Sequence, residues 1–260
     1  MSQRSRLDYA FAVGRVRALE KYLIPQRVFI EAAEAEDITN SLKIIHEAGL
    51  WPEEIVAATK PEDIDRISHG ELDKIERLMT ELLPPEIVFL FREAEQPDKL
   101  LGWAQKSGFP FFLRYARHSL DLANIKIFLR TLYAGRKGQE VEKYFFAGGF
   151  LEPKTFRPGF GLTWSELHPL LAKTDYGLLW EKALLAIEER NTFVVLEREI
   201  ENFFMSFWRQ AKQIVFGPEP VLAFGIARRQ EIRLVRLIAL GRMLKLPVEL
   251  IKERLSETYA

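Results

Sequence analysis

The chain has 260 residues, 48% of them hydrophobic, with 37 Lys+Arg balanced by 37 Asp+Glu and no cysteine. This is enough apolar material for one large domain or two modest ones and argues against disorder. The neutral balance argues against nucleic acid as the main partner, and the absence of cysteine excludes disulfides, thiolate metal sites and cysteine nucleophiles.

"SRLDYAFAVGRVRALEKYLI" opens the chain with Leu7, Ala10, Phe11, Val13, Val16, Leu19 and Leu23 at three- and four-residue spacing, a helix that Pro25 ends. Asp8, Arg15 and Arg17 interrupt any apolar core of a leader, so this stretch is not read as a signal peptide. A short helix is expected over Val28–Ala35. Another follows, with a cap at Asp37 or Thr39 and a stop at Gly49. Pro52 and Pro61 fit first helical turns. Residues 62–83 read as one long helix or two, with Gly70 as the weak point and Pro84-Pro85 as the end. "PEIVFLFREAEQ" and "DKLLGWAQKSG" are read as helical, and Pro110–Arg136 as a very long helix closing at Gly135 or Gly138.

Residues 148–161, "GGFLEPKTFRPGFG", form the clearest break in the chain. Thr163 then caps "WSELHPLLAK", and two further helical patterns lead to Gly217-Pro218. From there "EPVLAFGIARRQEIRLVRLIALGRMLKLP" (Glu219–Pro247) runs almost thirty residues with no proline between Pro220 and Pro247. No window holds the roughly 18 apolar residues of a spanning helix; the closest is Val221–Ala227. No segment alternates with period two, so the fold class is all-α. Asn124–Glu142 also lies over Glu231–Glu249 as a weak internal repeat. In it Ile125/Ile232, Lys126/Arg233 and Val141/Val248 align, while Arg130/Arg236 and Gly135/Gly241 fall one place out of phase.

Catalytic chemistry is hard to find. His46, His69, His118 and His168 lack ligand spacing and read as surface or packing residues. HExxH, GxSxG, GxxxxGK[ST] and GxGxxG are absent, and "GRKGQE" (residues 135–140) reads as a helix end rather than a phosphate loop. The Asp63/Asp65 pair could bind a cation but is too small a signal to support one. The aromatic runs at residues 109–112, 144–146 and 203–208 read as core. Arg229, Arg233 and Arg236 share one helix face at i, i+4 and i+7, and Glu197 and Glu201 form an acidic pair on the preceding helix. The two sets meet as an interhelical ion-pair network, or the arginines form a cationic surface for an acidic partner.

Tyr9-Ala10 with Arg15, Arg17 and Leu19-Glu20, the run "LDLANIKIFLRTLYAGRKGQEVEKYFFAGGFL" with Gly148-Gly149, and the closing "FGPEPVLAFGIARRQEIRLVRLIALGRMLKLPVELIKERL" resemble the C-subunit family of V-type and archaeal-type ATPases. Phe224 stands where the family prefers tyrosine. The likeness is patchy from about Glu53 to Lys106. The family usually carries three related helical units in a longer chain. Two signature helices are readable here, with "IVFLFREAEQPDKLLGW" as a degraded or shortened first copy. The resemblance implies three segments: an N-terminal unit over 1–107, a second over 108–161 ending in the Gly/Pro break, and a C-terminal unit over 162–260. It implies a pseudo-symmetric, funnel-like helical fold and no catalysis, cofactor or metal. The expected partners are the central-shaft subunits and the membrane proteolipid ring, reached from the cytoplasmic side, with membrane contact only through them. On that reading Lys126, Arg130, Arg229, Arg233 and Arg236 line the hollow or brace it internally. The alternatives are a stand-alone helical scaffold and an all-α enzyme with a buried carboxylate site.

Overall fold

The computed structural model describes residues 5–94, 96–136 and 141–260, and among them every regular element is helical. A 3-10 turn (Arg6–Tyr9) leads into α1 (Ala10–Glu20), α2 (Gln26–Glu34), α3 (Ile38–Ala48), α4 (Pro61–Leu82), α5 (Pro85–Arg92), α6 (Pro97–Ser107) and α7 (Pro110–Tyr133). After the glycine-rich break come the one-turn α8 (His168–Leu171), α9 (Gly177–Arg190), α10 (Val194–Arg209), α11 (Glu219–Met243) and α12 (Val248–Arg254). Contacts divide the chain into two compact units, Met1–Val88 with Glu201–Ala260, and Phe89–Ile200.

Local chemistry sets the helix ends. Proline occupies the first turn of α4, α6 and α7, where its missing N–H is no loss. Asp37 accepts the Asn40 N–H at 2.8 Å and starts α3. Gly70 leaves α4 unbroken, because its position faces solvent and one exposed glycine weakens a helix without ending it. The N-terminal stripe departs from the expected pattern. Tyr9, Ala12, Val13 and Val16 are buried, while Leu7 is 66% and Phe11 75% exposed. With apolar residues on every side, α1 offers two stripes, and only the 9/12/13/16 face packs inward.

In the first unit α11 is the spine, packed by α1, α2, α3, α4 and α12. Its Ile232, Val235, Ile238 and Ala239 meet Phe29, Leu42, Ile45, Ile64 and Ile251 in one buried cluster. Ala32 and Ala33 on α2 are fully buried there, and such small side chains let neighbouring backbones approach closely. The last six residues form no helix but are mostly buried. Gln230 donates to the Ser256 hydroxyl, Asn202 Oδ1 takes the Glu257 N–H at 2.7 Å, and Lys212 Nζ holds the Tyr259 carbonyl at 2.7 Å.

In the second unit α7 packs on α6, and the Phe128 ring sits among Phe156, Phe160 and Trp180 at 5.0–6.0 Å between centroids. Of the expected core aromatics, Phe111, Phe112, Phe145, Phe207 and Trp208 are buried, but Tyr144 is exposed.

α7 and α11 end alike. The Arg136 N–H bonds Thr131 C=O and the Gly135 N–H bonds Leu132 C=O; Leu246 and Lys245 do the same to Gly241 and Arg242. This two-bond closure needs a left-handed residue, supplied by Gly135 (φ 64°) and by Lys245 (φ 55°). The expected closing role of Gly135 is thus found; Gly138, with residues 137, 139 and 140, lies outside the described residues.

Candidate functional site

The five singled-out cations each sit on one of the two long helices. In the second unit Lys126 and Arg130, one turn apart on α7, both reach Glu197 of α10, at 2.8 and 2.7 Å. In the first unit Arg233 pairs with Glu201, and Arg236 places Nε and a terminal nitrogen on Asp65 Oδ1 of α4, at 2.9 and 2.6 Å. Arg229 is half-buried on α11. The expected network of all three arginines with Glu197 and Glu201 therefore forms differently. Glu201 takes Arg233, Glu197 takes the α7 cations, and Arg236 bonds Asp65, one of the two aspartates that could have bound a cation. The cause is tertiary: α4 packs along α11 and offers a nearer acid. These pairs are partly exposed, with side chains between 21% and 56% accessible, so each contributes about 0–1 kcal/mol.

A deeper polar group lies one turn earlier on α11. Arg228 is 7% exposed and donates to Glu231 on its own helix and, at 3.1 Å, to Glu71 of α4. Glu231 also accepts the Trp51 indole N–H and the Ile24 backbone N–H, both at 3.2 Å. Burial pushes the Glu231 carboxyl above its usual range, and the Glu71 charge adds to the push, while Arg228 pulls the other way. One guanidinium thus knots α4, α11 and the loops holding Ile24 and Trp51. Reading the arginines as one belt passes over this knot. Its signal is present in the sequence: Arg228 and Glu231, three apart, interrupt a stripe of Phe224, Ala227, Leu234 and Val235 that is otherwise apolar.

The second unit has a corresponding knot on α7. Asn124, aligned with Glu231 in the internal repeat, is fully buried; its side chain donates to the Phe146 C=O and accepts the Phe146 N–H, both at 2.8 Å. Asp121 accepts the Phe150 and Leu151 N–H groups at 2.9 and 3.0 Å and the Tyr176 hydroxyl at 2.7 Å. The Tyr176 oxygen in turn accepts from His118 Nδ1 at 2.7 Å. Burial holds the His118 pKa down at about 4, so the ring is neutral and carries its proton on Nδ1. Glycine is required at position 149, since a Cβ there would sit 2.0 Å from Asp121 Oδ1. Asp121, Tyr176 and His118 are each buried and joined in series by these hydrogen bonds. They clamp the Gly-Gly segment to α7. Among the described residues, no group of three or more His, Asp or Glu is placed to hold a metal ion, and no helix is long and apolar enough to cross a membrane.

Two comparisons bear on these features. The C subunit of a V-type sodium ATPase from Enterococcus hirae is 26% identical to this chain over 155 residues, 60% of the chain and 47% of that relative. The chain therefore spans about half the length of the curated relative it matches. The family model for the ATP synthase (C/AC39) subunit matches residues 98–254. This run takes in α7 with its clamped Gly-Gly segment and all of α11 with Arg228 and Glu231, and on that match over more than half its length the chain belongs to the ATP synthase (C/AC39) subunit family.

Proposed function

We propose that this chain is a non-catalytic adapter of a V/A-type rotary ATPase, joining the central shaft to the membrane proteolipid ring on the cytoplasmic side. The observation that carries the reading is the family match over residues 98–254, which contains both signature helices in order. The structure's chemistry is in keeping with it. The buried acids and the buried histidine bond helices and loops to one another, and the long helices are closely packed. A part that passes torque needs such stiffness, and membrane contact comes through its partners. Lys126, Arg130, Arg233 and Arg236 are its braces, each tying a long helix to a neighbour, with Arg229 beside them on α11.

Two experiments test this. Membranes prepared from cells expressing the chain should carry it with the proteolipid ring. Exchanging Arg233 and Arg236 together for glutamate places four acids where two ion pairs stood. It should weaken ion pumping several-fold while ATP hydrolysis by the catalytic head persists; unchanged pumping at normal assembly removes these residues from the role. The second reading, a stand-alone helical scaffold, is motivated by two readable signature helices where the family usually has three. It requires the chain to stay off membranes that contain the ring.

A further inference from the structure

After Arg254 the chain leaves α12 and runs on without helix, yet Ser256, Thr258 and Tyr259 are buried. Among the described residues, no backbone group of Ser256–Ala260 bonds another backbone group. Side chains of the neighbouring elements hold the segment instead. Asn202 of α10 takes the Glu257 N–H. Arg209, at the end of α10, donates twice to the Thr258 C=O and, at 2.7 Å, to the Glu257 carboxylate. Lys212, in the turn that follows, donates to the Tyr259 C=O and lies over the Tyr259 ring. The Tyr259 hydroxyl reaches Glu20 of α1 at 3.2 Å. Under this segment is a void of about 10 Å³, at the lower limit for a single water molecule. Thr258, Tyr259 and Ala260 share its lining with Ile24, Gln230 and Glu231. Two of these residues are joined by the bond from the Ile24 N–H to Glu231 Oε2.

We infer that Glu257–Ala260 is a hinged strap, which turns at Ser256 and lifts without unfolding the rest of the first unit, admitting solvent to Glu231 and the Ile24 N–H. Its fixings are the reason. A helix opens by breaking a cooperative ladder of backbone bonds. This segment gives up only its own contacts, and the side chains that hold it stay on their helices. Arg209 is half-buried and Lys212 exposed, so water replaces the bonds they lose. Segments held in this way open at free energies below that of the unit they belong to. Ser256 is the natural pivot, because Gln230 of α11 holds its hydroxyl while the polar fixings beyond it end on Arg209, Lys212, Asn202 and Glu20. The strap thus governs when the buried carboxylate of the α11 knot meets water. This gate is a property of the first unit and does not rest on the ATPase reading.

The test is hydrogen exchange in the full chain, read amide by amide by NMR at urea concentrations below the unfolding transition. The Glu257, Thr258 and Tyr259 amides should exchange about a hundredfold or more faster than the Val235 amide within α11, with almost no urea dependence, because lifting exposes little surface. Ile24 should follow the strap and share its small urea slope, although it lies just after α1. Lys212→Met should speed Glu257, Thr258, Tyr259 and Ile24 together by about tenfold, the effect of one lost charge-assisted hydrogen bond, and leave Val235 unchanged. Arg209→Met should act in the same sense and more strongly; should it not fold, Lys212→Met at its exposed position carries the test alone. Strap exchange only at the rate and urea slope of Val235 would overturn the proposal. So would an Ile24 amide that exchanges faster than the strap or ignores Lys212→Met, and so would equal acceleration of Val235 in that variant.

Discussion

Arg228 serves two buried carboxylates with a single guanidinium. Removing one member of a buried ion group leaves its partners charged and desolvated, which costs about 3–5 kcal/mol. Arg228→Met should lower stability to urea by that amount, and adding Glu71→Gln with Glu231→Gln should recover much of it, since the neutral set no longer holds unpaired charge. His118 gives a pH signature of its own. Its folded pKa of about 4 lies below the unfolded value near 6.5, so between those values the unfolded chain binds the extra proton. Stability is therefore full above about pH 6.5 and falls as pH drops towards 4, by on the order of 3 kcal/mol for the whole shift. Urea unfolding at pH 7 and at pH 4.5 should show a steeper loss in the native chain than in His118→Gln. Burial moves Asp121 upward, the opposite sense for stability, but Asp121 is present in both chains and largely cancels in the difference.

At the scale of the element, α7 and α11 are two versions of one device. Each is a long helix with a buried polar residue at its middle, Asn124 or Glu231, that captures a backbone N–H from elsewhere in its unit. Each closes with the same pair of hydrogen bonds, but α11 runs about one turn further past its pivot before doing so. The closing residue differs. Gly135 adopts the left-handed conformation freely, whereas Lys245 bears the strain of its Cβ. Lys245→Gly should raise stability by about 0.5–1 kcal/mol, read as a higher urea midpoint at unchanged slope. Such helix limits were legible in the sequence because prolines at 61, 97 and 110 and glycines at 108 and 135 act on their own few residues. The pairing of the cations was not. Arg236 bonds an aspartate 171 positions away, and Glu197 faces α7 rather than α11; neither follows from spacing along one helix. Leu7 and Phe11 show the same limit in reverse, for a helix apolar on all sides does not say which stripe its neighbours will cover.

At the scale of the whole chain, the Phe89–Ile200 unit has its own aromatic core around Phe128 and its own polar clamp around Asp121. A segment spanning residues 85–209, which keeps α5 and α10 entire, should fold alone, with a cooperative urea transition seen by both tryptophan fluorescence and helical circular dichroism. A gradual, non-cooperative change would show that its core is insufficient. The neutral composition and the absence of a spanning helix were read directly from the residues, and the two signature helices with their Gly-Gly turn carried the family likeness. The division into these two units was less accessible, because one of them is assembled from both ends of the chain and its decisive bonds, such as Ile24 N–H to Glu231, span 207 positions.

That wide separation carries a consequence for biosynthesis. As the polypeptide leaves the ribosome, residues 1–88 emerge before α11, the helix around which their apolar faces close. The continuous Phe89–Ile200 unit is therefore fully synthesised before the other unit is. Residues 1–88 wait, with Phe29, Leu42 and Ile64 uncovered, until residues 201–260 arrive, and during that interval the nascent chain most needs a chaperone.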